Sequence, residues 1–189
     1  MQIARRKSGI KYVSLSLLAI WLLPTVCGAG DYPITVDFTG EYVNETCEVS
    51  VNGGSNSETV SLPLISTTAL SNSGGEGGKT GFNVTLNECA GNQAVLLRFN
   101  SNYSSADTLS GNLLNQTGGG YSKNLQLRLR KEDNSQMIID DLNTADRFEI
   151  REGETPVTHQ YYVTYYSGSG GPVTAGKVYA VAGITLEYE

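Results

Sequence analysis

The chain has 189 residues and carries 13 Lys and Arg against 19 Asp and Glu, a formal net charge of −6. An acidic surface of this kind repels phosphate backbones and anionic lipid, which argues against a nucleic-acid or membrane-surface partner. The chain's one histidine leaves no material for a multi-histidine metal site, and the place of that residue, His159, at the start of an aromatic strand argues against a conventional serine or cysteine triad.

The first segment sets the compartment. Arg5, Arg6, Lys7 and Lys11 precede an apolar run from Tyr12 to Leu23, and small residues follow. This is the layout of a secretory signal peptide, expected to span residues 1–29 with cleavage after Ala29, a cut after Gly28 being the near alternative. The apolar run is shorter than the roughly 20 residues of a spanning helix and Pro24 interrupts it, against an uncleaved anchor. Val26 stands where a lipoprotein signal ending at Cys27 needs a small residue. Cleavage removes four basic residues and no acidic one, leaving nine against 19, a net of −10. The remainder, about 160 residues, suits one domain around one core.

Two cysteines then remain, Cys47 and Cys89, in a chain bound for an oxidising compartment, and they are expected to pair.

The mature chain reads as strands with a two-residue period. Residues 30–38, GDYPITVDF, put Tyr32, Ile34, Val36 and Phe38 on one face. Val49 and Val51 follow Cys47; Val60, Leu62 and Leu64 make a short run; Phe82, Val84 and Leu86 lead to Cys89. Ala94 to Leu97 with Phe99 is more continuous and suits a strand covered on both sides. Leu125, Leu127 and Leu129 alternate with Gln126, Arg128 and Arg130. Met137 to Ile139, Phe148 to Ile150, Tyr161 to Tyr166 and Val178 to Tyr188 complete the expected strands. Turn-forming clusters at Asn52–Ser57, Ser71–Gly78, Ser101–Ser105, Gly118–Gly120 and Ser167–Gly171 separate them, the spacing of a β-sandwich.

Three blocks, VDFTGEYVNETCEVSV at 36–51, TGFNVTLNEC at 80–89 and AVAGITLEYE at 180–189, resemble the type 1 fimbrial subunit family. VSVNG at 49–53, YYVTYY at 161–166 and PVTAGKV at 172–178 further look like shaft subunits of type 3 fimbriae. The resemblance implies an all-β, incomplete immunoglobulin-like sandwich, residues 39–189, that lacks its final strand. It implies that residues 30–38 are a donor strand completing a neighbouring subunit through Tyr32, Ile34, Val36 and Phe38. It further implies a periplasmic chaperone facing Ile184, Leu186 and Tyr188, an outer-membrane usher, polymerisation with other fimbrial subunits, and a fimbrium on the bacterial surface reached through the periplasm. The alternative is a minor tip or adaptor subunit that binds a host-surface glycan or protein receptor.

The residues themselves offer several lookalikes. SGGEGGKT at 73–80 approaches a phosphate-binding loop, but Ser73 replaces its first glycine and a strand pattern follows in place of a helix, so the segment reads as a mobile surface loop. Asp140 with Asp141 and Glu152 with Glu154 read as solvated turn residues, and His159 as a strand-edge histidine. Tyr161, Tyr162, Tyr165 and Tyr166 read as core on one face and subunit contact on the other, with a glycan-binding surface as the alternative. Asn-x-Ser/Thr triplets begin at Asn44, Asn83, Asn102 and Asn115 and would suit glycosylation in a eukaryotic secreted protein. No enzymatic activity, cofactor or metal is expected.

Overall fold

A computed structural model describes residues 46–189. The signal segment 1–29 and the donor segment 30–38 with Tyr32, Ile34, Val36 and Phe38 lie outside the described residues.

Among the described residues nine strands form two sheets. They are β1 (Glu48–Val51), β2 (Glu76–Asn87), β3 (Gln93–Asn100), β4 (Leu113–Leu114), β5 (Leu125–Lys131), β6 (Gln136–Met137), β7 (Asp146–Ile150), β8 (Val157–Ser167) and β9 (Gly183–Tyr188). The larger sheet has the order β1-β2-β8-β5-β4 with β6 beside β5, and the smaller β7-β3-β9; every pairing is antiparallel.

The alternation in sequence becomes alternation in burial, because successive side chains leave a pleated strand on opposite faces. Phe82, Val84 and Leu86 of β2, Tyr161, Val163 and Tyr165 of β8, and Leu125, Leu127 and Leu129 of β5 are buried on the inner face of the larger sheet. Val95, Leu97 and Phe99 of β3 with Phe148 and Ile150 of β7 bury the inner face of the smaller one. An aromatic triangle joins the two: Tyr161 lies 5.7 Å from Phe82 and 5.6 Å from Phe99, ring centroid to centroid, edge-on to the latter. Cys47, just before β1, and Cys89, just after β2, form a disulfide.

The chain departs from its sequence pattern in four places. Glu76–Thr80, expected within a mobile loop, belongs to β2 and pairs with β8 through an irregularity between Gly77 and Thr80. Glycine here makes room: at Gly78, φ +65°, a Cβ would fall 2.7 Å from the ring of Tyr165. Val60 to Leu64 joins no ladder among the described residues, although Val60 and Leu62 pack on the core. The run expected from Val178 becomes strand only at Gly183, because loops take its backbone groups: Gln116 N–H donates to Tyr179 O, Tyr179 N–H to Asn115 Oδ1 and Val181 N–H to Ser104 Oγ. β3 is buried on one face and only half-covered on the other, at Leu96 and Arg98.

Candidate functional site

The C-terminal strand β9 pairs with β3 on one side: Ile184 opposes Phe99, Leu186 opposes Leu97 and Tyr188 opposes Val95. Among the described residues no strand is hydrogen-bonded to its other side. Directly opposed residues share a face, so Ile184 and Leu186 turn toward the core while Thr185 and Glu187 turn outward. The outward pair is anchored, Glu187 accepting from Arg98 at 3.0 Å and Thr185 from Asn100 at 2.8 Å.

The inward pair is under-covered. Phe99 and Leu97 are 4% and 0% exposed, yet Ile184 and Leu186, one strand farther out on the same face, are only partly buried. Val178, Ala180 and Ala182 before β9, Val49 of β1, and Val60, Leu62 and Ile65 of the unpaired segment also pack on the core while staying partly exposed. The sandwich thus ends in an apolar margin, and β9 carries along it a row of backbone groups without a ladder partner among the described residues. Tyr188 closes the far end, its hydroxyl accepting the backbone N–H of Cys47 at 2.9 Å.

Two polar constellations went unread in the sequence. On the outer face of the larger sheet, Glu76 accepts from Arg128 Nη1 and Arg130 Nη2, both at 2.6 Å, and from Thr164 at 3.2 Å. Burial pushes the Glu76 carboxyl up, but the hydrogen bonds and charges of Arg130 and Arg128 outweigh it and hold the group below its usual range. The second constellation spans the sheets. Asp146 of β7 takes hydrogen bonds from His159 at 2.8 Å and Tyr161 at 2.7 Å, both on β8, and the His159 ring stacks on Phe148 at 3.8 Å. Burial acts to raise Asp146, yet the bonds from His159 and Tyr161 leave it depressed; burial and the Asp146 charge push the Tyr161 phenol far up. Regular Gln/Arg alternation on β5 signalled the first constellation, but its carboxylate sits among glycines that read as loop.

The lookalikes resolve physically. Lys79 donates to Asn134 Oδ1 and lies over the ring of Tyr162, on a strand and with no helix N-terminus behind it. Tyr161 and Tyr165 are core, as read; Tyr162 and Tyr166 face outward with Lys79 and Arg128 across their rings, occupying the faces a sugar would stack on. Asp140 is held by Ser101, Asp141 caps a short 3-10 turn and Glu154 pairs with Arg151 on the surface. Asn115 is buried with its side chain hydrogen-bonded to Ser122, Lys177 and Tyr179, closed to glycosylation.

Comparison with known proteins agrees with this architecture. The model of the family "Fimbrial protein" matches residues 36–189. The chain is 31% identical to the F17 fimbrial protein of Escherichia coli, over 84% of this chain and 88% of that one. It is 29% identical to the major fimbrial subunit SMF-1 of Stenotrophomonas maltophilia (strain K279a), over 84% and 95%. It is 26% identical to the type-1 fimbrial protein, A chain, of Escherichia coli (strain K12), over 94% and 93%. In fold it is similar to the P pilus rod subunit PapA, with a TM-score of 0.59 at 20% identity, covering 76% of this chain and 99% of that one. A chain from a chaperone-usher pilus structure superposes with a TM-score of 0.56 at 19% identity, covering 85% and 98%. With an immunoglobulin-like all-β sandwich and a family match over most of its length, this chain belongs to the fimbrial protein family, the subunits of surface pili.

Proposed function

We propose that this chain is a structural subunit of a chaperone-usher fimbria that polymerises by donor-strand exchange and so contributes to cell adhesion. The observation that carries the reading is the contrast across β9: Ile184 and Leu186 stay partly exposed while Phe99 and Leu97 beside them are buried, on a strand with one ladder partner among the described residues. A strand added there would gain main-chain hydrogen bonds from the open edge and specificity from alternate side chains.

Residues 30–38 supply such a strand. Full burial of Tyr32, Ile34, Val36 and Phe38 in a neighbour is worth about 6–12 kcal/mol before ordering costs. In this reading residues 1–29 direct export to the periplasm, a chaperone covers Ile184, Leu186 and Tyr188 until the usher, and residues 39–189 form the domain that receives the next donor. The caps over Tyr162 and Tyr166 weigh against the tip-adaptor alternative with its host receptor.

Val36→Arg tests the reading in cells that also express a fimbrial chaperone and usher. The variant is expected to reach the periplasm bound to chaperone and to yield no sheared surface filaments. Filaments at the wild-type level would refute it.

A further inference from the structure

On the outer side of the larger sheet, at the end where β4 and β8 finish and β5 begins, residues 117–124 and 168–170 wall a cleft of about 530 Å³. That volume lies within the range of small-molecule sites. Its floor includes Gln126, 6% exposed, which shares the outer face with its cross-strand neighbours Leu114 and Tyr166. The Gln126 amide is fixed at both atoms. Nε2 donates to Asp107 at 3.1 Å, and Oε1 accepts from Ser110 Oγ at 2.7 Å and Asn112 Nδ2 at 2.9 Å.

The walls are pinned as well. Ser122 N–H and Oγ donate to Lys177 O and Thr174 O, Lys177 N–H donates to Gly120 O, and Gly168 N–H to Asn124 O. The buried Asn115 amide donates to Ser122 O and Lys177 O. A cleft held this way before anything enters it loses little further freedom when it is filled.

Three lining groups keep unused capacity. Asp107 accepts from Leu109 N–H, Ser110 N–H and Gln126, three of the roughly four hydrogen bonds a carboxylate can take. Lys123 has no ion-pair partner among the described residues. Tyr121 is half-buried, and among the described residues no cation lies over its ring, whereas Lys79 and Arg128 cover Tyr162 and Tyr166. The cleft therefore offers one acceptor, one donor and one uncovered aromatic ring, with Leu114 adding apolar surface.

We propose that this cleft binds a neutral saccharide. A sugar ring carries hydroxyls that both donate and accept at its rim and C–H groups on its faces, which matches Asp107 and Lys123 with Tyr121 between polar and apolar contact. One carboxylate and one ammonium line the cleft, so its own charge is balanced, and the chain's formal net charge of −6 repels an anion. The site is separate from the β9 edge. Repeated in every copy along a filament, a step that rests on the reading above, weak sites engage a many-armed glycan surface together.

Ligand-observed NMR with the methyl glycosides of glucose, galactose, mannose and N-acetylglucosamine tests the proposal. It is run on sheared filaments and on the subunit held by its chaperone, so the answer stands whether or not filaments form. At least one glycoside is expected to bind at about one per subunit with a dissociation constant of about 1 mM, while N-acetylneuraminic acid and inorganic phosphate do not bind. Tyr121→Ser is expected to weaken that binding about tenfold. Ser169→Trp, at an exposed lining position, is expected to abolish it by filling the cleft. Should Tyr121→Ser yield no subunit, Ser169→Trp alone decides. No bound glycoside, binding of the anionic probes only, a stoichiometry far below one per subunit, or unchanged affinity in either variant overturns the proposal.

Discussion

The hydroxyl of Tyr188 and the backbone N–H of Cys47 meet at 2.9 Å across 141 residues of sequence, tying the last strand to the start of the first. Tyr188 is the last residue of β9, a strand with one ladder partner among the described residues, so this bond is one of few restraints on its end. Tyr188→Phe keeps the ring and removes the acceptor. It is expected to cost about 1 kcal/mol, read as a fall of about 2–4 °C in the thermal midpoint of purified subunit. An unchanged midpoint would mean that water replaces the hydroxyl at no cost.

The disulfide makes a larger claim. Its cysteines are 42 residues apart, and closing a loop of that length restricts the unfolded chain by about 4 kcal/mol in the chain-entropy account. Urea unfolding of the Cys47→Ala, Cys89→Ala variant should show an unfolding free energy lowered by about that amount. β1 should lose amide protection first, since among the described residues its one ladder is the four-residue pairing with β2.

Glu76 is shared by two guanidinium groups, and its removal should be asymmetric. Glu76→Gln leaves Arg128 and Arg130 facing a neutral amide and is expected to cost about 1–3 kcal/mol. Replacing all three by apolar residues of similar volume should cost less than that single change, because no charge is left without a partner. Chemical denaturation of the single and triple variants decides it.

Acid sensitivity follows from Asp146. Its folded carboxyl titrates below the ordinary 3.8, so the unfolded chain takes up a proton first as pH falls. The stabilisation is therefore complete above about pH 4 and is lost as pH falls through the depressed folded value. Glu76, also depressed, adds in the same direction from an ordinary 4.5. Asp146→Asn should be less stable than wild type at neutral pH and should flatten the decline below pH 4, measured as thermal midpoint against pH. Equal slopes would remove Asp146 from the acid limb.

How much of this was legible in the sequence depends on where the information lay. Leu125, Leu127 and Leu129 announced β5 because one face of a strand repeats every second residue, and Tyr161 with Tyr165 fell on the core face for the same reason. The cysteine pairing followed from compartment and count. Val178 to Ala182 misled because alternation reports which face is covered, and the loops that take its backbone hydrogen bonds lie 60 to 80 residues away in sequence. Gly78 read as turn because nothing local reveals that Tyr165 needs the space its missing side chain leaves. Of the candidate site, the apolar row Ile184, Leu186 and Tyr188 was legible; the Tyr188 to Cys47 bond was not, since it joins two groups that only the fold brings together.

The position of the Cys47–Cys89 link has a mechanical consequence. β1 runs antiparallel to β2 with Glu48 opposite Asn87, so a pull on the chain ahead of residue 46 would, by itself, unzip β1 one ladder bond at a time from its weakest end. The covalent bridge sits before the first of those bonds and passes the load directly to Cys89, at the root of the turn between β2 and β3. A pull entering through the leading segment would thereby meet the covalent bridge before the β1 ladder, and the short leading strand would be bypassed.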